Sequence, residues 1–152
     1  FRSADIAWAF DRWSQASGLA FQFAGTSSLK YNDADFTLDP SSGAQAQRSI
    51  NLAFIDQAPR LNAGVIGLGS PSSVSPNGSE ILTGTAIFKT SYVTKASTAE
   101  DRALYEHELG HVLGLAHAAD PANVMYPVVD TQTTLGAGDA NGIRTFTKAC
   151  AS

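Results

Sequence analysis

The segment 107–117 constrains the fold more than any other part of the sequence, because it contains all three histidines of the chain. His107 and His111 are four residues apart, so on a helix both imidazoles project from one face and can reach the same cation. Gly114 permits the left-handed backbone with which a chain can turn back after a helix. His117 can then supply a third ligand. The segment therefore predicts a helix that ends at Gly114 beside a metal site.

The ligand types indicate a catalytic zinc ion. Three neutral imidazoles leave one zinc position for water, whereas a structural zinc is closed by four protein ligands. Zinc lowers the pKa of that water to about 7, and Glu108 can take the proton and pass it to a leaving amine. We predict that His107, His111 and His117 bind one zinc ion and that Glu108 is the general base and acid.

Length and composition indicate one globular domain. A chain of 152 residues can bury a core without disulfides, and a hydrophobic content of 43% excludes a disordered chain. Cys150 is the only cysteine, so no internal disulfide can form. The net charge of −4 without a basic stripe excludes a nucleic-acid partner, and no apolar run approaches the length of a membrane span. A first residue other than Met suggests a piece of a longer precursor.

Apolar residues at helical spacing predict three helices. The first runs from Ser3 to about Ser17. The second begins near Ser97 or Thr98, with Thr98 as its cap, and continues to about Leu113. A last helix covers about 138–149.

Alternating apolar residues and β-branched runs predict the strands. We expect strands over 19–23, 49–56 and 81–92, with shorter extended pieces over 36–38 and 65–68. Residues 70–79, rich in Ser, Pro, Asn and Gly, are predicted to form a loop.

The segment 107–117 and the later segment 120–127 together resemble the metzincin zinc peptidases, and among them the matrixins, the group of the matrix metalloproteinases and their bacterial relatives. In that family a methionine lies beneath the zinc ligands in a Met-turn, and the following Tyr-Pro walls the S1′ specificity pocket. The matching residues are Met125, Tyr126 and Pro127. Without the resemblance, Met125 would more often be core filler.

The resemblance implies an α+β metzincin (zincin-like) fold, with a twisted mixed β-sheet, an active-site helix, a Met-turn and a C-terminal helix. It implies a single catalytic domain over 1–152, divided into an N-terminal subdomain of about 1–114 and a C-terminal subdomain of about 115–152. Asp139 matches an acidic position that supports the Met-turn, although it could equally be an ordinary acid at a helix N-terminus.

By the same resemblance, the run 65–68 corresponds to the edge strand that receives an extended substrate. Its residues are Val65, Ile66, Gly67 and Leu68. An exposed strand edge offers free backbone groups that can pair with a peptide, but simple edge packing explains the run as well. If substrate pairs there, the enzyme cuts within extended polypeptides.

Three features depart from the matrixin pattern. Ala118 follows the third ligand where matrixins usually have Ser, and no fourth histidine exists for the second, structural zinc of animal matrixins. The chain also opens almost directly into a helix, where a matrixin has a preceding strand. The precursor, another chain or terminus could supply that strand, or the protein does without it.

Calcium is common in the family. The hard oxygen ligands that this chain offers are those of Asn32, Asp33, Asp35 and Asp39. Their spacing matches no EF-hand loop, and the alternative is that these side chains cap turns.

These residues and the resemblance lead us to expect a secreted, monomeric zinc endopeptidase that acts on polypeptides and is kept latent by an upstream propeptide or an inhibitor. One alternative is a catalytically idle zinc-containing binding module on the same fold, against which the retained Glu108 argues. The other is an exported structural or interaction domain that its zinc only stabilises.

Overall fold

The structure is a computed structural model that describes residues 3–28, 30–34, 36–38, 48–62 and 64–148. Cys150 lies outside these residues. The helices in the described part of the chain are α1 (Ser3–Ser17), α2 (Thr90–Val93), α3 (Thr98–Val112) and α4 (Ala137–Lys148). Its strands are β1 (Tyr31–Asn32), β2 (Thr37–Leu38), β3 (Ser49–Ile55), β4 (Gly67–Val74) and β5 (Ile81–Lys89).

The main sheet is mixed, as predicted. β5 lies in its centre, with β3 parallel on one side and β4 antiparallel on the other. β1 and β2 form a separate antiparallel pair. Residues 86–88 of β5 are fully buried, because apolar clusters cover both faces of the sheet.

The helix α3 is enclosed by the rest of the domain. It contacts α1 on one side and β4 and β5 on the other, and every residue over 103–110 is buried. The larger core cluster gathers side chains from all these elements, including Trp13, Phe88, Leu104, Leu109 and Met125. Two of the predicted site residues, His107 and Glu108, therefore project from a helix that is packed around its whole circumference.

Specific polar contacts fix α1 against α3. The indole nitrogen of Trp13 donates a hydrogen bond to the backbone oxygen of Glu106 at 2.8 Å. Arg102 on α3 pairs with the Asp5 carboxylate at 2.7 Å, and its guanidinium lies 5.0 Å from the Trp8 ring centroid. These contacts hold the helix before the first histidine in one position.

The predicted long helices are confirmed within one or two residues, with a correction at one cap. Ser97, rather than Thr98, caps α3: its hydroxyl accepts from the Glu100 backbone N–H, and the Glu100 carboxylate accepts from the Ser97 N–H. This capping box satisfies two donors of the first turn. At the other end Gly114 has φ of +94°, which is the left-handed conformation expected for a helix stop.

The strand predicted over 19–23 is wrong, because these residues have no regular secondary structure. Phe21 packs on Phe10 of α1 with ring centroids 5.1 Å apart, whereas Phe23 is 84% exposed. A strand needs a hydrogen-bonded neighbour, and among the described residues none pairs with this segment. Alternation alone therefore misled the prediction.

The edge strand β4 starts later and runs further than predicted. Val65 and Ile66 precede it, and only Gly67 and Leu68 of the predicted run belong to it. The strand continues through 70–74, which the composition had assigned to a loop. The strand predicted over 81–92 is correspondingly too long, since β5 ends at Lys89 and α2 follows.

The polar composition of β4 is explained by hydroxyl pairs across the sheet. Ser72 and Thr85 share a hydrogen bond of 2.6 Å between their hydroxyls, and Ser73 and Thr83 share one of 2.8 Å. Pro71 is tolerated because β4 is an edge strand, where a missing N–H costs no ladder bond on the open side. The serine-rich composition predicted a loop, but these serines form a strand because threonines of β5 lie opposite them.

Among the described residues, no helix has both the length and the apolar character needed to cross a bilayer. The division into two subdomains near residue 114 stays a prediction.

Candidate metal centre

The three histidines converge on one point. Their candidate ligand nitrogens all lie within 4.8 Å of one another, and Nε2 of His111 lies 3.1 Å from Nε2 of His117. His107 is buried, His111 is partly exposed and His117 is exposed, so the cluster opens toward solvent on the side of its third member. The helix supplies two of these side chains, and the bend at Gly114 brings the third back to them.

Backbone carbonyls orient the first two rings. Nδ1 of His107 lies 2.7 Å from the Val124 oxygen, and Nδ1 of His111 lies 2.8 Å from the Leu115 oxygen. Because a carbonyl oxygen can only accept, each Nδ1 carries the proton and donates it. Nε2 of each neutral ring then carries a free lone pair on the side of the histidine cluster. Metal-binding histidines adopt this arrangement.

This donor set fits zinc. Zinc–nitrogen bonds of about 2.0 to 2.1 Å put two tetrahedral ligands roughly 3.4 Å apart. The His111 and His117 Nε2 atoms lie close to that spacing, at 3.1 Å. Burial lowers the pKa of His107 to about 4, with the neighbouring His111 and His117 acting in the same direction. Burial also lowers the pKa of His111. Both rings are therefore neutral at pH 7 and available as ligands.

Glu108 lies against the edge strand β4. Burial raises the pKa of its carboxyl to about 7, and a hydrogen bond from the Gly69 backbone partly opposes that rise. A Cβ on Gly67 would lie 2.9 Å from the Glu108 carboxyl oxygen, and one on Gly69 would collide with the Glu108 backbone oxygen. Two glycines thus let α3 approach the strand closely enough for the carboxyl to lie beside it.

The turn that contains Met125 packs against α3. A Cβ on Gly110 would collide with the Met125 sulfur, so the methionine packs directly on the helix between the first two histidines. The Met125 backbone oxygen accepts from the Ala118 N–H at 2.8 Å, which ties the residue after the third histidine to the turn. The Asp139 carboxylate accepts from the backbone N–H groups of Val124 at 2.7 Å and Met125 at 3.2 Å.

This geometry gathers the three histidines at one point and packs Met125 against the helix that carries two of them, and a comparison with protein families agrees with it. The sequence model of the matrixin family matches residues 2–147. The chain belongs to the matrixin family. Membership establishes the metzincin fold predicted from the motif, and it points to zinc metalloendopeptidase activity in general.

In this matrixin a cavity of about 90 Å³ lies beside the methionine turn. Tyr126, which was predicted to wall the specificity pocket, lines it, whereas Pro127 is exposed and is not among its lining residues. The other lining residues are Ala103, Pro121, Asn123, Val124, Val128, Val129, Asp130 and Gln132. The cavity therefore joins the active-site helix to the loop that follows the turn.

Three residues of this matrixin site were not singled out as site residues from the sequence. Gly69 and Gly110 allow close approaches of β4 and Met125 to α3. Asn123 is buried and bonds to the start of α4. A glycine within a strand often marks a close approach of another backbone, so the sequence could have indicated the role of Gly69. No comparable sequence pattern indicates the role of Asn123.

Glu106, which precedes His107, is a buried carboxyl that the sequence did not predict. Burial raises the pKa of Glu106 to about 8, while Arg12, 3.7 Å away, acts in the opposite direction.

The suggested calcium ligands are only partly described. The Asn32 side chain accepts from the Ala34 N–H, and the Asp33 carboxylate accepts from the Tyr31 hydroxyl. These bonds serve the turn between β1 and β2, in agreement with the turn-capping alternative. Asp35 and Asp39 lie outside the described residues, so a calcium site stays a prediction.

Proposed function

We propose that the protein is a secreted zinc-dependent endopeptidase that hydrolyses peptide bonds of extended polypeptides, with Glu108 as the general base. The observation that carries this proposal is the convergence of His107, His111 and His117, whose ligand nitrogens lie within 4.8 Å of one another. Three imidazoles with one open side are the donor set of a catalytic zinc rather than of a structural one.

When bound, zinc would supply a Lewis acid that polarises the scissile carbonyl and lowers the pKa of coordinated water. Glu108 provides a proton acceptor on the same helix turn as the first ligand. Its burial, at 5% exposure, limits competing hydrogen bonds with bulk water, and the Gly69 N–H holds the carboxyl in place. The same group can then return the proton to the leaving amine.

The open edge of β4 supports an extended substrate. β4 pairs with β5 on one side, and no described strand pairs with its other side. A peptide added there would form backbone hydrogen bonds beside Gly67 and Gly69, which lie next to the Glu108 carboxyl. Such pairing requires an unfolded stretch of substrate, so cleavage would occur within chains rather than at termini.

Secretion, a monomeric state and latency through an upstream propeptide or an inhibitor are part of the same proposal, and the matrixin resemblance supports them. Fractionation of the natural host, with the mature protein detected in the medium, tests secretion. Retention of the protein inside the cell would contradict it.

The decisive experiment is digestion of an unfolded protein by wild type, by wild type with chelator, and by Glu108→Gln. We expect Glu108→Gln to bind zinc normally but to lose about 10²- to 10⁴-fold in kcat, which is the usual contribution of a general base. Glu80→Gln is the matched control, because Glu80 is an exposed carboxylate whose salt-bridge partner is Arg48. Its kcat should equal that of wild type.

Cleavage by Glu108→Gln at the wild-type rate would exclude the proposed mechanism. The idle binding module makes a different prediction, namely a wild-type protein that holds one zinc yet cleaves none of a varied set of peptides. The structural domain makes a third prediction: chelator unfolds the protein, and the zinc-loaded protein has no cleavage activity to lose.

A further inference from the structure

Asn123 links the methionine turn to the start of α4. It is 5% exposed, and its side-chain oxygen accepts from the Gly138 N–H at 2.8 Å and from the Asp139 N–H at 3.2 Å. Its amide group donates to the Asp120 backbone oxygen at 3.1 Å. The side chain thus caps a helix that begins 14 residues later in the chain, and satisfies two N–H groups that have no partner within the helix.

The bonds continue from that helix start to the first histidine. Asp139, whose backbone Asn123 holds, accepts through Oδ2 from Val124 at 2.7 Å and from Gly136 at 2.8 Å. The Val124 oxygen in turn accepts from Nδ1 of His107 at 2.7 Å. A contiguous set of hydrogen bonds therefore runs from the Asn123 amide to a zinc-ligand ring.

Two glycines make room for this amide. A Cβ on Gly138 would lie 2.7 Å from the Asn123 side-chain oxygen, and a Cβ on Gly136 would collide with the same atom. Neither glycine has a positive φ, so backbone conformation does not require glycine at these positions. The space is needed for the Asn123 side chain.

We propose that Asn123 is a positioning residue for the zinc ligand His107. None of its hydrogen bonds goes to a histidine, and it acts through Asp139 and the Val124 carbonyl. That carbonyl keeps the proton on Nδ1 of His107 and leaves Nε2 free to bind metal. A direct partner of a ligand ring, such as the Val124 carbonyl, is typically worth about 10- to 100-fold in metal affinity, and Asn123 acts further out. The inference rests on the proposed zinc site.

The test measures zinc affinity by competition with a chromogenic chelator, together with the visible spectrum of the cobalt-substituted protein and the unfolding of the metal-free protein. Asn123→Ala should bind zinc more weakly, by up to about 10-fold, and alter the cobalt spectrum. Asn123→Asp keeps the acceptor oxygen for Gly138 and Asp139 but loses the donor to the Asp120 oxygen, so it should recover part of the affinity. Ser97→Ala removes the cap of the helix that carries two ligands, and should lower stability while leaving zinc affinity unchanged.

A second variant covers the case in which Asn123→Ala does not fold. Gly138→Ala adds a Cβ against the Asn123 oxygen, so it should weaken zinc binding even though Ala favours a helix. If either variant folds and binds zinc and cobalt as wild type does, Asn123 is only a helix cap and the inference is overturned. Because the deciding readouts are metal binding and not cleavage, a wild type that holds zinc but cleaves nothing would refute the peptidase proposal alone.

Discussion

Replacement of Gly110 by alanine should destabilise the domain, although alanine is the better helix residue. In an unobstructed helix the change gains about 1 kcal/mol. Here the new methyl group would collide with the Met125 sulfur and lie 2.9 Å from a ring carbon of Trp13. Met125 is flexible, but Trp13 is fully buried and is held by its bond to the Glu106 backbone.

The expected loss of stability is the cost of crowding the core minus the gain in helix propensity. Overpacking of a well-filled core costs about 1 to 3 kcal/mol, and the immobile indole places this site toward the upper end. After the helix gain is subtracted, the net loss is about 1 to 2 kcal/mol. In a domain of this size, that loss lowers Tm by about 2 to 8 °C.

The assay is urea and thermal unfolding of the metal-free protein, since bound zinc would add its own stabilisation. Ala7→Gly is the matched control, because Ala7 is exposed in α1 and its replacement measures the helix term without crowding. That control should lose about 1 kcal/mol. A Gly110→Ala protein as stable as wild type, or more stable, would show that the packing argument is wrong.

Ser97→Ala should lower the free energy of unfolding by about 1 kcal/mol through loss of the α3 cap, as measured in urea. Hydrogen bonds from Ser97 lower the pKa of Glu100, so its stabilising effect is present above the unfolded pKa and is lost as pH falls through the folded pKa. The stability difference between wild type and Glu100→Gln should therefore be seen at pH 7 and vanish in acid; a difference that grows in acid would contradict this. Trp13→Phe should cost about 1 to 3 kcal/mol, because the buried indole ring is made smaller and its hydrogen bond to the Glu106 backbone oxygen is lost; an unchanged urea midpoint would argue against that bond. Gly69→Ala should reduce both stability and kcat, since its Cβ would push β4 away from Glu108; normal turnover would show that the contact does not matter.

The convergence of the three histidines could be predicted because the information for it is local. Two histidines four residues apart on a helix, a glycine stop and a third histidine define the ligand set with little help from the rest of the fold. The helices were predictable for the same reason, since spacing and caps lie within one segment.

The features that escaped prediction depend on partners far away in the sequence. Leu19 to Phe23 alternates like a strand but has no described neighbour to pair with, whereas the serines of β4 form a strand because threonines of β5 face them. Asn123 acts on a helix start that only folding brings near. Strand pairing, and the capping of a helix by a residue distant in the sequence, produce no periodic pattern from which they could be predicted.

The unequal support of the three imidazoles sets an order for the exchange of metal. Carbonyl oxygens lock His107 and His111, while the exposed His117 follows a glycine bend and has, within the described residues, no carbonyl holding its ring. We therefore expect His107 and His111 to hold a bound ion more rigidly than His117 does. Departure of a bound metal should then begin with His117, and a change at the Gly114 bend should alter the rate of zinc exchange.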